Sequence, residues 1–251
     1  MLNARHALVT GGNRGIGAAI ARALVATGAT VSILGRDEAS LRARVENGHA
    51  HHWRTADVTD RGALDVAIGD LAQSAGPIDI LVNNAGGAFS GPFMKTPEDA
   101  FRRMIDLNFM SAVHGIQSVL PGMVARGHGR IVTIASTASL KGYPYVSAYT
   151  AAKHAVLGLT RSLALEVAKS GVTVNCVCPG FTDTDLVAES VDLIIQKTGR
   201  SAAEVRSELA RANPQGRLIE PQEVAAAVTW LCSPQAGSMT GIALTVAGGE
   251  I

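Results

Sequence analysis

Aromatic side chains are scarce in this chain, with 2 Trp, 3 Tyr and 5 Phe among 251 residues. A core of this size therefore rests on Ala, Val, Leu and Ile rather than on rings. Charge is scarce and balanced as well: 22 Lys and Arg face 21 Asp and Glu, for a net +1, and no block of one sign stands out. That excludes the electrostatic footprint of a nucleic-acid or anionic-membrane binder. Of three cysteines, Cys176 and Cys178 alternate on an expected strand and Cys232 stands apart. The odd count and the lack of zinc-type spacing exclude a disulfide framework and a structural zinc site, and the thiols read as reduced packing residues in a reducing compartment. No apolar run approaches the ~20 residues that cross a bilayer. The first apolar run begins almost at Met1, so the expectation is a soluble, cytoplasmic protein without a secretory leader.

What the chain does hold is aliphatic: 47% of it is hydrophobic and 17% charged, which fits an α/β protein with a buried parallel sheet. From Ala7 it reads ALVTGGNRGIGAAIARALVATGATVSILGRD, an apolar run, a glycine-rich turn, a helix with Ile16, Ile20, Leu24 and Val25 on one face, and a second apolar run. Gly11 permits a sharp turn, Gly15 removes a side chain where a pyrophosphate would approach, and Gly17 lets helix and strand pack closely. The helix N-terminus then offers free amides to an anion. The spacing is G-x-x-x-G-x-G, which differs from the common dinucleotide fingerprint, but its place between a strand and a helix predicts dinucleotide binding.

The end of the second apolar run selects the dinucleotide. A carboxylate there would bond the adenosine ribose; this chain has Gly35 and Arg36, with Arg14 in the glycine turn able to reach the same place. Two guanidinium groups favour NADP(H), while the neighbouring Asp37 leaves NAD(H) open. Farther on, His49, His51 and His52 lie in a run without a Cys or carboxylate at ligand spacing, so no metal is expected. Alternation places His49 and His51 on one face of a third strand. Asp57 after that strand can meet an adenine amino group or cap the following helix, a task open also to Thr59 and Asp60.

The segment IDILVNNAGG reads as a buried strand ending in Asn83 and Asn84, whose amides can tie loop backbone together. Ala85 and Gly86 leave room for a flat ligand. A long apolar helix follows Pro97 and contains Asn108, a poor helix residue unless its amide meets a backbone group or water. IVTIA at 131–135 reads as another buried strand that delivers Ser136 to its end. A helix follows Pro144, with Ser147 as its N-cap and Tyr149 and Lys153 four residues apart on one face. A lysine fixed beside a tyrosine favours the phenolate, so the pair predicts a lowered phenol pKa and a proton exchanged with a substrate oxygen. By spacing alone the pair reads first as an ordinary surface pair on an exposed helix, and only its company changes that reading.

Taken in order, TGGNRGIG at 10–17, Asp57 with Val58, NNAG at 83–86, Asn108, Ser136, YTAAK at 149–153 and PGFTDT at 179–184 resemble the short-chain dehydrogenase/reductase family in its single-domain form. The likeness spans nearly the whole chain. It implies a doubly wound, Rossmann-like three-layer α/β fold with a mainly parallel sheet in one domain, 1–251. It also implies that Ser136 polarises a substrate carbonyl, that Tyr149 exchanges the proton, that Lys153 lowers the phenol pKa and holds the nicotinamide ribose, and that Asn108 holds a relay water. Gly11, Asn13, Arg14, Gly15, Ile16 and Gly17 would then cradle the dinucleotide. Arg36, Asp57 and Val58 would meet its adenosine end, and Asn84, Ala85, Gly86, Pro179, Gly180, Thr182 and Thr184 its nicotinamide half. The family often has Ala where this chain has Gly12, a harmless difference on the sequence. The segment at about 183–216 matches the variable substrate loop and reads as two short amphipathic helices split at 198–201, able to act as a lid.

The expected activity is NADP(H)-dependent interconversion of a ketone and a secondary alcohol, with a 3-oxoacyl thioester or similar β-keto substrate and no metal. The resemblance also implies a homotetramer built on the Asn108 and Tyr149 helices. Two alternatives stand beside this reading: an NAD-dependent dehydrogenase of a cyclic alcohol, steroid, sugar or dihydrodiol, and an inactive nucleotide sensor.

Overall fold

The computed structural model describes residues 1–251, apart from the side chains of residues 193 and 197. Its centre is a seven-stranded sheet in the order β3-β2-β1-β4-β5-β6-β7, every pair parallel. The strands are β1 (His6–Thr10), β2 (Thr30–Gly35), β3 (His52–Thr55), β4 (Ile80–Asn83), β5 (Gly129–Ile134), β6 (Val172–Pro179) and β7 (Ala243–Val246). Parallel strands are covered on both faces, and accordingly every residue of β1, β4, β5 and β6 is buried.

Helix α1 (Gly15–Ala26) and helix α9 (Pro221–Cys232) cover one face, where Ile20 and Leu24 meet Val224, Val228 and Leu231 over Val9, Ile33 and Val82. On the other, α3 (Arg61–Ala75), α5 (Ser111–Ala125) and α6 (Ser147–Glu166) bring Leu64, Ile68, Ile116, Met123 and Leu163 against Leu8, Leu81 and Ile131. Full burial of each such Leu or Ile is worth ~1.5–3 kcal/mol, which is how a chain poor in rings still packs. The remaining helices are α2 (Glu38–Glu46), α4 (Glu98–Ile105), α7 (Asp185–Thr198) and α8 (Ala202–Arg211). The last two form the expected helix pair, split where Gly199 takes φ 69° and restarted by a Ser201–Glu204 capping box.

Strand order reverses between β1 and β4, so the crevice beyond their C-terminal ends is the place where this architecture receives ligands. Some local expectations are corrected. Strand β3 spans only His52–Thr55, so His49 precedes it, and the ring of His51 accepts the amide of Val31 at 3.0 Å instead of sharing a strand face with His49. Asp60, not Asp57, caps α3. Val146 is the N-cap of α6, and Ser147 already lies in the helix. Nor is Gly12 freely exchanged for Ala: a Cβ there would stand 2.5 Å from Ile33 Cγ2, because β2 presses its isoleucine against the turn.

Candidate active site

The glycine turn is held shut from behind by β4. Thr10 Oγ1 accepts the amides of Asn84 and Ala85, each at 3.0 Å, and Asn84 Nδ2 donates to Thr10 O and Gly11 O at 3.0 and 3.1 Å. Gly11 and Gly15 take φ of 63° and 52°, values a side chain resists. At Gly17 the constraint is steric: a Cβ would lie 2.2 Å from Gly11 O and 2.4 Å from Asn84 Nδ2. Gly17→Ala should therefore lower the thermal midpoint by the equivalent of ~3 kcal/mol, the upper range for overpacking, as read by calorimetry. An unchanged midpoint would show that the turn is looser than described. The first turn of α1 carries no acidic side chain, so its free amides face the crevice without competition. Ile16 turns away to pack on the core under α1.

At the adenosine end, Gly35 is kept bare by its neighbour, since a Cβ would come within 3.0 Å of Asn13 Oδ1. Asn13 is itself fixed through Nδ2 to Ser40 Oγ at 2.9 Å and through its carbonyl to Arg44 Nε at 2.9 Å. Arg36 is exposed, 4.0 Å from the Asp57 carboxylate. Bonds from the amide and hydroxyl of Thr59, and then the Arg36 charge, hold that carboxyl below its ordinary pKa. Arg14 is paired with Glu189 of α7 at 3.0 Å. Val58 is buried against the sheet beside Leu34.

At the other end of the crevice, Asn108 sits in a π-helical turn (Asp106–Met110) between α4 and α5. Its Nδ2 donates to Gly87 O and Met104 O at 3.0 and 3.1 Å, and its Oδ1 accepts the Gly87 amide at 3.2 Å, so its amide meets backbone as required. Lys153 is buried, with Nζ donating to Ile134 O at 2.8 Å. Both converge on Gly86, where a Cβ would stand 2.8 Å from Asn108 Oδ1 and 3.7 Å from Lys153 Nζ. Ser136 lies two residues past β5 and caps the turn at Thr137–Ser139, its Oγ accepting the Ala138 amide at 3.1 Å. Tyr149 packs among Met104, Ala148 and Ala152, with Lys153 Nζ 5.7 Å from its ring centre.

The phenol pKa is raised, contrary to expectation. Burial is the first cause and outweighs a bond from Ser136, while the Lys153 ammonium is spent on a carbonyl. Burial also depresses Lys153, to about 8. On the far wall Thr182 is buried, its Oγ1 donating to Gly180 O at 3.0 Å, and Thr184 Cγ2 lies 3.3 Å from where Gly15 would carry a Cβ. Thus the Pro179–Thr184 segment roofs the glycine turn, and Gly86, Asn108, Tyr149 and Lys153 gather at one end of the crevice, whereas Ile16 and Val58 face the core.

Residues 5–194 match the short chain dehydrogenase family. This chain belongs to that family. Among its short-chain dehydrogenase relatives, acetoacetyl-CoA reductase of Shinella zoogloeoides is 39% identical over 249 residues, 98% of each chain. The 3-oxoacyl-(acyl-carrier-protein) reductase FabG of Vibrio harveyi is 37% identical over 249 residues, 99% of this chain and 98% of its own. A solved actinorhodin polyketide ketoreductase variant with NADPH superposes with a TM-score of 0.94 at 35% identity, covering 100% of this chain and 99% of the other.

Beside the family residues stand several that sequence reasoning did not find. Arg44 grips the glycine turn from α2 without any motif to announce it. Thr137, Lys141 and Tyr143 gather with Glu250 at the edge of the crevice, next to Ser136. At Gly11, Gly17 and Gly86 packing admits no side chain, and the free amides at the start of α1 suit the diphosphate of a nicotinamide dinucleotide.

Proposed function

We propose that this short-chain dehydrogenase is an NADP(H)-dependent reductase of β-keto compounds, 3-oxoacyl thioesters foremost, working through Tyr149, Lys153, Ser136 and Asn108. The observation that carries the reading is the convergence of Asn108, Lys153 and Gly86 beside Tyr149, at the carboxyl end of the sheet and in line with a glycine turn shaped for a diphosphate. Acetoacetyl-CoA reductase and the 3-oxoacyl reductase among its relatives support the substrate class.

The cofactor, when bound, supplies or takes up the hydride. The chain's own residues do the rest. The Ser136 hydroxyl, which bonds the Tyr149 phenol, would stabilise charge as it develops on the substrate oxygen. Burial keeps the Tyr149 phenol protonated at neutral pH, the form needed to give that oxygen a proton. Lys153 brings a positive charge to a site otherwise short of it, and Asn108 holds the loop of Gly86 and Gly87 in register. The α7–α8 segment at about 183–216 closes over substrate as a lid within a single 1–251 domain. The groove between α5 and α6, lined by Val113, Leu120, Leu159 and Leu163 with Gln117 and Glu166, is the face on which assembly as a homotetramer would be built. No helix is long and apolar enough to cross a membrane among the described residues, in keeping with a cytoplasmic enzyme.

The substrate test is a panel of β-keto thioesters, cyclic ketones and their alcohols with each nicotinamide, followed by absorbance. Preferential oxidation of NADPH by β-keto thioesters is the expected result; turnover confined to NAD and cyclic alcohols would overturn it. For the cofactor, Arg36→Asp removes a cation and adds an anion where a 2′-phosphate would lie. It should weaken NADPH by about 30-fold, ~2 kcal/mol for a charge-assisted bond, with little change for NADH. Equal losses in a fluorescence titration would discredit the assignment.

A further inference from the structure

Glu250 follows β7 through Gly248 and Gly249, whose φ of 61° and 91° turn the chain back toward the crevice. Its side chain is only 2% exposed. A carboxylate taken so far from water is costly unless paired, and this one is met by two partners. Lys141 Nζ lies 3.0 Å from Oε1, and the Tyr143 hydroxyl bonds the same oxygen. The phenol oxygen of Tyr143 is also 2.6 Å from Thr137 Oγ1. Tyr143 has one proton and the carboxylate can only accept, so the phenol donates to Glu250 and Thr137 donates to the phenol. A directed chain thus runs from Thr137, the residue after Ser136, to the tail. Lys141 stacks over the Tyr143 ring at 5.0 Å, and the ring packs edge-on against Phe181, 6.3 Å away, at the root of α7.

The second carboxylate oxygen, Oε2, is buried without a hydrogen-bond partner and stands 3.1 Å from where Gly180 would carry a Cβ. Most buried carboxylate oxygens find a hydrogen-bond partner. Here one is given up to place the other between the turn after β5 and the turn after β6, the two walls of the carbonyl end.

We propose that Glu250 is a positioning residue for the substrate carbonyl. It acts through Tyr143 and Thr137 to hold the Ser136 turn at the correct distance from Tyr149. The proposal rests on the reading of Ser136 and Tyr149 as catalytic. Misplacing a polarising group by an ångström slows reduction of the carbonyl far more than it weakens a dinucleotide bound along the rest of the crevice.

The experiment measures KM for acetoacetyl-CoA, kcat, the Kd for NADPH by fluorescence and the thermal midpoint in Glu250→Ala, Glu250→Gln, Tyr143→Phe and the Tyr143→Phe/Glu250→Ala double variant. Glu250→Ala should lower kcat about tenfold with the NADPH Kd within about twofold of the parent. Glu250→Gln keeps an acceptor for Tyr143 and should recover part of that loss. The double variant should be no worse than the worse single, because both residues act in one chain. A kcat that stays put in Glu250→Ala, or losses that add in the double variant, would overturn the proposal. So would an NADPH Kd that rises about tenfold as well, since the tail would then serve the cofactor groove or the fold at large. Should Glu250→Ala fail to fold, Glu250→Gln and Tyr143→Phe carry the same comparison. Tyr149→Phe, run alongside, separates the two levels: full turnover there overturns the catalytic reading itself, whereas its inactivity with an unmoved Glu250→Ala kcat overturns the positioning role alone.

Discussion

Tyr149→Phe should bind NADPH within about twofold of the parent and reduce ketone about 10³-fold more slowly, the loss typical of a removed general acid. Phenylalanine keeps the ring that Met104, Ala148 and Ala152 enclose, so the thermal midpoint should hold and the loss be confined to chemistry. The raised phenol pKa sharpens the expectation. Desolvation keeps the proton on Tyr149, and in the reducing direction that proton is the one delivered to the nascent alkoxide. Rapid-mixing measurement of NADPH oxidation in a single turnover checks it. A variant with near-parental rates would transfer the proton donor's role to another group.

Lys153→Met is the second large effect. Methionine fills the stem's volume but removes the ammonium that sits beside Gly86 and Tyr149, so kcat should fall about 10²-fold and NADPH bind more weakly, as expected when a preorganised charge is lost. Burial lowers Lys153 from 10.5 to about 8, which makes the parent's affinity pH-dependent. Below about 8 the group is charged and attracts the anionic cofactor; above it the charge is gone and the Kd for NADPH rises. Lys153→Met should flatten that profile. The same depression has a stability signature of known sign. Between about 8 and 10.5 the unfolded chain holds the proton that the folded chain has released, so stability contributed by this site grows with pH across that window. An NADPH titration repeated across pH in both proteins is the check, and identical profiles would remove Lys153 from the cofactor site.

Much of this site is legible in the sequence because its constraints are local. The glycine turn follows from which residues tolerate positive φ or the absence of a side chain. The Tyr149 and Lys153 pair follows from helical repeat, and the split between α7 and α8 from Gly199 and the Ser201 cap. What escapes is whatever depends on distant residues. Glu250 and Tyr143 are 107 residues apart, and no spacing rule joins them. The crowding of Gly12 by Ile33 needs the register of β1 and β2. The sign of the phenol pKa shift escapes as well, because helical spacing gives the lysine's nearness but neither the depth of burial nor the Ile134 carbonyl that engages it. Arg14, free on the sequence, meets Glu189 only once α7 lies across the turn. The π-helical turn at Asn108 likewise depends on Gly87, a loop residue brought in from β4.

The most direct measurement is a crystal structure of the protein with NADP⁺. The account requires the diphosphate on the amides after Gly11, the 2′-phosphate beside Arg36, and the nicotinamide ring between Gly180 and Lys153 with the Tyr149 hydroxyl turned toward its reactive carbon. A dinucleotide lying elsewhere, or a nicotinamide facing away from Tyr149, would contradict it.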